Sequence, residues 1–279
     1  MKKYLILLII VLIGCVNANS QKLKASDYRI FQGTKAWELA KAIDNDDASE
    51  IKEILTKDKK LVTVVDTMYG QTLLGLAVYN LKYDAVKALL ESGADPNAFN
   101  NYDGFTPLMN AIEKGVRGMP SDPRYLNIIL KYGGNPNLAS KKIDKGTFPY
   151  YYPELPLLKA ASIGNVEYFK ILVAAGGDWH KNASDIMNGA LISRNPDMVM
   201  YLLNEGFDPK KPMLEGGDPN YPTYVAEELR HWNFDLGSDL YKKKMQLVDY
   251  LKKRGIDYRK TKIPDDVYQT RDKNYLEKY

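Results

Sequence analysis

Three pairs of neighbouring carboxylates and two histidines are the side chains of this sequence that could take part in acid–base chemistry. The pairs are Asp46-Asp47, Glu227-Glu228 and Asp265-Asp266, and the histidines are His180 and His231. General acid–base catalysis needs a second element that completes the site, and nothing in the surrounding sequence supplies one. We therefore expect the carboxylates to lie on a solvated surface and the histidines to be structural residues in turns.

Metal ligands and catalytic motifs are scarce in the rest of the chain. A single cysteine, Cys15, excludes an intramolecular disulfide, and two histidines leave few ligands for zinc. The sequence has no Gly-rich phosphate loop, GxSxG elbow, HExxH motif or CxxC pair. The formal net charge of +4 is small for a nucleic-acid-binding protein. These observations predict a non-enzyme with no cofactor, no metal ion and no nucleic-acid partner.

The first residues have the layout of a signal peptide. Two lysines precede an apolar run from Tyr4 to Gly14, and Cys15 follows. The run has about eleven residues, whereas a membrane-spanning helix needs about twenty. We therefore predict a cleaved signal at residues 1–14, with a short signal anchor or a buried strand as the alternatives. The segment Leu12-Ile13-Gly14-Cys15 resembles the lipobox of bacterial lipoproteins.

This resemblance implies a lipid anchor. In lipoproteins the signal is cut before the cysteine, which carries acyl chains, so Cys15 would hold the mature protein in the bacterial cell envelope. Val16 follows in place of the aspartate that is typical of inner-membrane retention, which favours the outer membrane. We expect the protein to face the periplasm, although Val16 leaves the direction open. Residues 15–35 are polar and irregular, as expected of a lipidated tether.

Internal repeats organise most of the remaining chain. Residues 72–97, 106–137 and 156–178 share an opening that ends in Leu, two short helical segments and a closing Gly. Fainter copies occupy 38–58, 187–209 and 245–257. The pattern resembles the ankyrin repeat, with an unrelated helical array as the alternative. It implies an all-α ankyrin-repeat solenoid of about six degenerate helix-turn-helix repeats with short β-hairpin fingers over residues 36–258, and a charged C-terminal tail at 259–279.

Residue types at fixed places in each copy have physical reasons. Glycine suits the left-handed position just after a helix, and five such glycines close the second helices. They are Gly93, Gly133, Gly176, Gly206 and Gly255, whereas the first copy has Asp58. The apolar pairs before them are predicted to pack between repeats: Leu89-Leu90, Ile129-Leu130, Ile171-Leu172 and Leu202-Leu203.

The spacing of the copies indicates insertions. Successive closing glycines are separated by about 30 to about 49 residues, against a period of about 33 in the family. We place the insertions at 115–124, 139–154 and 231–240, and insertions in solenoids often lie on the binding face.

Aromatic side chains in the finger segments are the candidate contacts for a partner. Tyrosine and tryptophan are enriched at protein-binding hot spots, and three consecutive tyrosines cannot all face one core. Packing between neighbouring fingers is the alternative, above all for Phe99 and Phe148. The predicted partner-binding residues are Tyr69, Phe99, Tyr102, Phe148, Tyr150, Tyr151, Tyr152, Tyr221 and Tyr224.

The layout of lipobox, tether and insertion-bearing repeats is similar to that of periplasmic ankyrin-repeat immunity lipoproteins. That resemblance implies a protein, monomeric when free, that binds and blocks a secreted lipase-type toxin, namely a phospholipase effector delivered by type VI secretion. An envelope scaffold that positions or protects a periplasmic enzyme is the alternative. Because a fold does not determine a function, both remain open at this point.

Overall fold

Short helices that follow one another in pairs make up the fold. The structure is a computed structural model, and it describes residues 23–114, 122–143, 153–214 and 222–279. Its α-helices are α1 (Trp37–Asp44), α2 (Ala48–Lys57), α3 (Leu73–Tyr79), α4 (Tyr83–Glu91), α5 (Pro107–Lys114), α6 (Pro123–Lys131), α7 (Pro156–Ser162), α8 (Val166–Ala174), α9 (Ala183–Ile192), α10 (Pro196–Asn204), α11 (Val225–Glu228), α12 (Asp239–Lys253), α13 (Asp265–Thr270) and α14 (Lys273–Lys278). Two short strands are β1 (Met213–Leu214) and β2 (Pro222–Thr223).

The pairs stack into two layers. The first helices of successive repeats, α1, α3, α5, α7 and α9, contact one another in order, and so do the second helices α2, α4, α6, α8, α10 and α12. In the sixth repeat the short α11 continues as a 3-10 turn at Leu229–His231. The predicted all-α solenoid of six helix pairs is confirmed.

The predicted apolar seal between repeats is present. Leu89, Leu172 and Leu202 are fully buried, and their neighbours Leu130 and Ile171 are partly buried against the same core. Each repeat covers the apolar side of the next, because a lone helix pair would leave this surface in water.

The helix ends follow the sequence pattern. All five predicted closing glycines have positive φ, between 80° and 104°. Asp58 in the first repeat instead adopts an extended conformation, with φ −144° and ψ 91°. Its side chain accepts from the N–H of Lys60 and caps the 3-10 helix Lys59–Thr63. The chain therefore leaves α2 by a different turn, which needs no left-handed residue.

The fingers contain less regular sheet than the predicted hairpins. Strands β1 and β2 pair antiparallel, with Met213 opposite Thr223. In the first finger, Val65 and Thr72 form an isolated antiparallel bridge. The predicted insertion between α5 and α6 follows the end of α5 at Lys114, and its residues 115–121 lie outside the described ranges.

The chain on either side of the repeats is also folded. Residues Tyr28–Phe31 form a 3-10 helix whose Ile30 and Phe31 are buried against α1, so the last part of the predicted tether belongs to the packed domain. At the other side, α13 and α14 bury Val267 and Tyr275 in a small cluster of their own. Residues 259–279, expected to be a charged tail, therefore cover the last repeat.

Lys244 is buried although it lies in a run of three lysines. A run such as Lys242-Lys243-Lys244 is typical of a solvated helix face, but the Lys244 side chain is fully buried. Its Nζ donates to the Trp232 carbonyl oxygen at 2.9 Å and lies 3.8 Å from the centre of the Tyr279 ring. Burial, and secondly the nearby Arg230 cation, lower the pKa of Lys244 to about 6. The helix turns this position towards the C-terminal segment, which supplies the enclosing aromatic rings.

Candidate functional site

Two adjacent finger loops carry exposed apolar residues next to a cleft that has two acidic residues in its wall. Finger one is defined as residues 65–72 and finger two as residues 99–106. Finger one is closed around the buried side chain of Asp66, whose Oδ1 accepts from the N–H groups of Met68 at 2.8 Å and Tyr69 at 2.7 Å. Its Oδ2 accepts from the N–H of Gln71 at 2.5 Å. Three bonds to one carboxylate fix the loop that presents Met68 and Tyr69.

Finger two has the same construction with an amide in place of the carboxylate. The Asn100 side chain is buried, and its Oδ1 accepts from the N–H groups of Tyr102 at 2.8 Å and Asp103 at 3.0 Å. The Asp103 carboxylate in turn accepts from the N–H of Phe105 at 3.0 Å. The sequences DTMYGQT and NNYDGFT thus share an Asp or Asn, a Gly four residues later and a Thr two residues after that.

Main-chain hydrogen bonds join neighbouring fingers. The N–H of Asn101 in finger two donates to the Tyr69 carbonyl of finger one at 3.0 Å. The N–H of Lys141, in the next inter-repeat loop, donates to the Gly104 carbonyl at 2.9 Å. The two fingers and the loop that follows them therefore form a continuous, hydrogen-bonded row.

The row exposes a group of large apolar side chains. The rings of Tyr69 and Tyr102 meet edge to face with centroids 5.4 Å apart. Val65 is 47% exposed, Met68 54% and Tyr102 48%. We call Val65, Met68, Tyr69 and Tyr102 the finger surface. Exposed apolar groups that cluster in this way are typical of sites that bind another molecule.

A cleft of about 430 Å³ lies beside the finger surface. Helices α3 and α5 contribute Tyr79, Asn110 and Glu113 to its wall, and the fingers contribute Gln71 and Asp103. Two of these residues are acidic, so the wall favours a basic ligand. Tyrosine rings and carboxylates can hold a peptide by packing and by charge-assisted hydrogen bonds.

Gln71 and Asn110 are two buried polar residues of this wall, and neither was predicted from the sequence. Gln71 is 4% exposed and Asn110 2% exposed. The Gln71 Oε1 accepts no hydrogen bond, which is costly for a buried carbonyl oxygen. The signal for Gln71 was available, because it occupies the place in finger one that Phe105 occupies in finger two. The two fingers therefore differ at this position, with a polar side chain in finger one and an aromatic ring in finger two.

The N-terminal segment also lines the cleft. Residues Leu23, Lys24, Ala25 and Ser26 form part of the wall. The Tyr69 hydroxyl donates to the Leu23 carbonyl oxygen at 2.5 Å, and the Asn80 side-chain amide donates to the Ser26 carbonyl oxygen at 2.8 Å. Side chains of the second repeat therefore hold the backbone of this segment.

The other predicted partner-binding residues are not part of this group. Phe99 begins finger two and is only half-buried. Tyr224 precedes α11, where its N–H donates to Glu227 Oε2 at 3.1 Å, and it lies in the sixth repeat. Phe148, Tyr150, Tyr151, Tyr152, Tyr221 and the proposed lipidation site Cys15 lie outside the described residues. Of the nine aromatic residues, the structure brings Tyr69 and Tyr102 into contact.

Members of two of the three carboxylate pairs have structural roles at helix ends. Asp47 caps α2 by accepting from the N–H groups of Ser49 and Glu50, and the Asp46 side chain accepts from the N–H of Ala85 at 2.8 Å. Glu227 accepts from the Tyr224 N–H at the start of α11. These contacts satisfy N–H groups that a helix start leaves unpaired.

Each histidine lies next to one neighbouring side chain. The centre of the His180 ring is 4.2 Å from that of the Trp179 ring, and His231 Nδ1 is 4.0 Å from a carboxylate oxygen of Asp266. Within the four described ranges, no group of three or more His, Cys, Asp or Glu side chains could hold a metal ion. In the same ranges, no helix combines the length and apolar character needed to cross a bilayer.

Comparisons with known proteins agree with this architecture. The family model for ankyrin repeats matches three copies across residues 39–140. The ankyrin repeat domain of human ASB11 is similar in structure, with a TM-score of 0.52 and 18% sequence identity over 83% of this chain and 96% of that chain. No curated protein sequence matches this chain. The chain has the ankyrin-repeat solenoid fold, and ankyrin repeats are a protein–protein interaction module.

Proposed function

We propose that this protein is a membrane-anchored, non-catalytic binding module of the bacterial cell envelope, and that it holds another protein at the finger surface. The observation that carries the proposal is the clustering of exposed apolar side chains. Of the six large apolar residues exposed in the described part of the chain, Val65, Met68 and Tyr102 belong to two fingers joined by a main-chain hydrogen bond. Burial of such a cluster is the usual source of binding free energy.

The adjoining cleft adds a selective element. Asp103 and Glu113 stand beside the finger surface, so a partner that inserts a basic side chain beside an apolar contact would match both. Charged groups of this kind choose the partner and increase the association rate, whereas the apolar contacts supply most of the affinity.

The anchor belongs to the same proposal. The segment Leu12-Ile13-Gly14-Cys15 matches the lipobox pattern, and acyl chains on Cys15 would hold the module at a membrane. Two or more acyl chains give stable anchoring, because each buried methylene contributes about 0.8 kcal/mol. Val16 after the cysteine favours the outer membrane, and the proposed location is its periplasmic side.

The narrower function is that of an immunity protein, in which the chain blocks a phospholipase effector delivered by type VI secretion. Its support is the shared layout of lipobox, tether and insertion-bearing repeats. In this role the finger surface, or the inserted residues 139–154, would cover the entrance of the toxin's active site. The alternative function is an envelope scaffold that positions or protects a periplasmic enzyme.

The test is capture of partners from envelope extracts by the full chain, with exposed apolar side chains removed in matched positions. The double variant Met68→Ser and Tyr102→Ser removes the two most exposed side chains of the finger surface. Tyr268→Ser is the control, because Tyr268 on α13 is 65% exposed and lies away from the fingers. We expect the finger variant to lose the partner and the control to retain it. Equal recovery with both variants would contradict the finger surface as the binding site.

The two narrower functions predict different properties of the captured protein. A captured lipase whose phospholipid hydrolysis falls when the chain is added in equimolar amount supports immunity. An enzyme whose activity is unchanged or prolonged supports the scaffold. A further variant, Tyr150→Ala with Tyr151→Ala and Tyr152→Ala, tests the contribution of the second insertion, residues 139–154, to either complex.

A further inference from the structure

A stretch of the chain itself, residues 23–26, forms one side of the cleft beside the fingers. Two side chains bind its backbone: the Tyr69 hydroxyl of finger one donates to Leu23, and the Asn80 amide of the second repeat donates to Ser26. Both acceptors are carbonyl oxygens of the main chain. Such contacts recognise a backbone in this conformation and are indifferent to the side chains that it carries.

Selectivity in the cleft comes from its remaining contacts. The Leu23 side chain packs against the main hydrophobic core, so this position favours an aliphatic residue. The wall also holds the carboxylates of Asp103 and Glu113, and Lys24 is its basic member. An aliphatic residue followed by a lysine or arginine therefore fits the cleft in shape and charge.

One buried polar atom in the same wall has no partner. The Gln71 Oε1 accepts no hydrogen bond, although the residue is 4% exposed. An unsatisfied buried acceptor costs about 1 to 3 kcal/mol, so this wall carries a polar group that its own residues leave unsatisfied. Residues 23–26 do not satisfy it.

The covalent connection holds residues 23–26 in place. The N–H of Asp27 donates to the Lys24 carbonyl in a turn, and Ile30 and Phe31 are buried immediately downstream. A segment linked this closely to a packed element has an effective concentration in the millimolar range at its site. Residues 23–26 can therefore keep their contacts with Tyr69 and Asn80 without a high intrinsic affinity.

From these contacts we infer that the cleft and the adjoining hydrogen-bonding groups of Tyr69 and Asn80 form a peptide-binding site, that residues 23–26 take the Tyr69 and Asn80 contacts in the free protein, and that an extended segment of the partner displaces them. The partner's segment carries an aliphatic residue followed by a basic one. This inference rests on the proposed function and gives the chemistry of the partner's contact. The N-terminal segment is then a competitor, and the partner's segment must bind tightly enough to displace it.

The experiment weakens the internal competitor and measures binding of its own sequence in trans. The probe is a fluorescein-labelled peptide with the sequence of residues 20–27, SQKLKASD, and a scrambled peptide of the same composition is the control. The protein is the full chain in detergent, either unchanged or with Leu23, Lys24, Ala25 and Ser26 all replaced by glycine. Fluorescence anisotropy gives the dissociation constants, and thermal unfolding confirms that each variant is folded.

We expect the glycine variant to bind the probe roughly tenfold more tightly than the unchanged chain, because each glycine raises the entropic cost of ordering the competing segment. Adding Tyr69→Phe to the glycine variant removes only the hydroxyl and should weaken the probe about fivefold. Asp103→Asn retains the oxygen that accepts from Phe105 and removes the charge, so it should weaken this probe but not one whose lysines are replaced by glutamine.

Equal binding of the probe by the unchanged chain and the glycine variant would overturn the inference, and so would equal binding of the scrambled peptide. The outcome is separable from that of the proposed function. If Met68→Ser with Tyr102→Ser loses the partner and the probe does not bind, the finger surface is supported as the binding site and the peptide site is contradicted. If the probe binds specifically and partner capture is unchanged in that variant, the peptide site is supported and the finger surface is contradicted.

Discussion

Gly104 and Lys141 touch through their backbones. The Gly104 carbonyl accepts from the Lys141 N–H at 2.9 Å, and a Cβ on Gly104 would lie 1.9 Å from the Lys141 carbonyl oxygen. Gly104 also has a φ of +76°. Finger two can meet the following loop at this distance only with glycine at this position.

Gly104→Ala is therefore expected to be much more destabilising than an alanine at another left-handed glycine. Gly133→Ala is the matched control, because Gly133 has a φ of +93° and open space around its Cβ position. The control should cost about 1 kcal/mol of unfolding free energy, from backbone strain alone. Gly104→Ala should cost about 3 kcal/mol or more, because the clash with Lys141 is added. Urea unfolding followed by circular dichroism measures both, and equal costs would show that the finger contact is dispensable.

A left-handed residue also occurs in the turn between the two helices of several repeats. Gly164 occupies this place in the fourth repeat with a φ of +71°, whereas the fifth repeat has Arg194 with a φ of +50°. Arg194 is exposed and a left-handed conformation is strained for it. Arg194→Gly should therefore stabilise the protein by about 0.5 kcal/mol, which thermal unfolding would detect as a small rise in Tm.

In the fourth repeat, replacing the glycine of this turn is expected to lower the stability. A Cβ on Gly164 would lie 2.5 Å from Asn195 Nδ2, and the Asn195 amide donates to the Gly164 carbonyl at 2.8 Å. Gly164→Ala should therefore lower the Tm. A Tm that falls for Arg194→Gly as well would contradict the assignment of strain to this turn.

The buried Lys244 predicts a pH dependence of stability. The pKa of Lys244 is about 6 in the folded protein and 10.5 is its ordinary value, which we take for the unfolded chain. Between these values the unfolded chain binds more protons, so the unfolding free energy rises as the pH increases from about 6 towards 10. The variant Lys244→Met should lack this contribution and be more stable at pH 7 by about 2 kcal/mol.

Lys243→Met is the control for this measurement. The Lys243 side chain is 44% exposed and its Nζ lies 2.5 Å from the Asp197 carboxylate, so its removal should change stability by less than about 1 kcal/mol. Its unfolding free energy should retain the pH dependence of the unchanged protein. Urea unfolding at pH 7 and pH 9 for the three proteins separates the two positions, and an identical slope in Lys244→Met would contradict a buried neutral amine.

Cys15→Ser tests the proposed anchor. Serine has no thiol for acylation, so the variant should lose its lipid and leave the membrane fraction after cell lysis. Metabolic labelling with a fatty acid and fractionation by ultracentrifugation measure the two properties separately. Persistence of the labelled variant in the membrane fraction would refute lipidation at this residue.

The sequence predicted the parts of the fold that depend on local pattern. Gly133 marks a helix end because its left-handed conformation is a local requirement, and Leu172 is buried because the 3.6-residue period places it on the apolar side. Tyr69 and Tyr102 lie in two successive fingers, and their mutual contact follows from the stacking of two similar loops. Their role in binding a partner stays a prediction.

The parts that the sequence did not predict depend on contacts between distant segments. Lys244 lies in a run of three lysines that looks solvated, and its burial requires Tyr279 from the folded C-terminal segment. The sequence of residues 23–26 is typical of a tether, and only the fold shows that Tyr69 and Asn80 bind their backbone. No periodicity within a repeat carries information about either contact.

The position of Leu23 in the cleft also constrains the orientation of the whole module. About eight residues separate Cys15 from Leu23, and a fully extended chain of this length spans roughly 27 Å. If Cys15 carries the acyl chains, the cleft must lie within that distance of the lipid headgroups, on the side of the module from which the chain emerges. The partner would then be met in a narrow gap next to the bilayer, where an enzyme acting on phospholipids also works. Displacing residues 23–26 would lengthen the free tether and let the complex move away from the membrane.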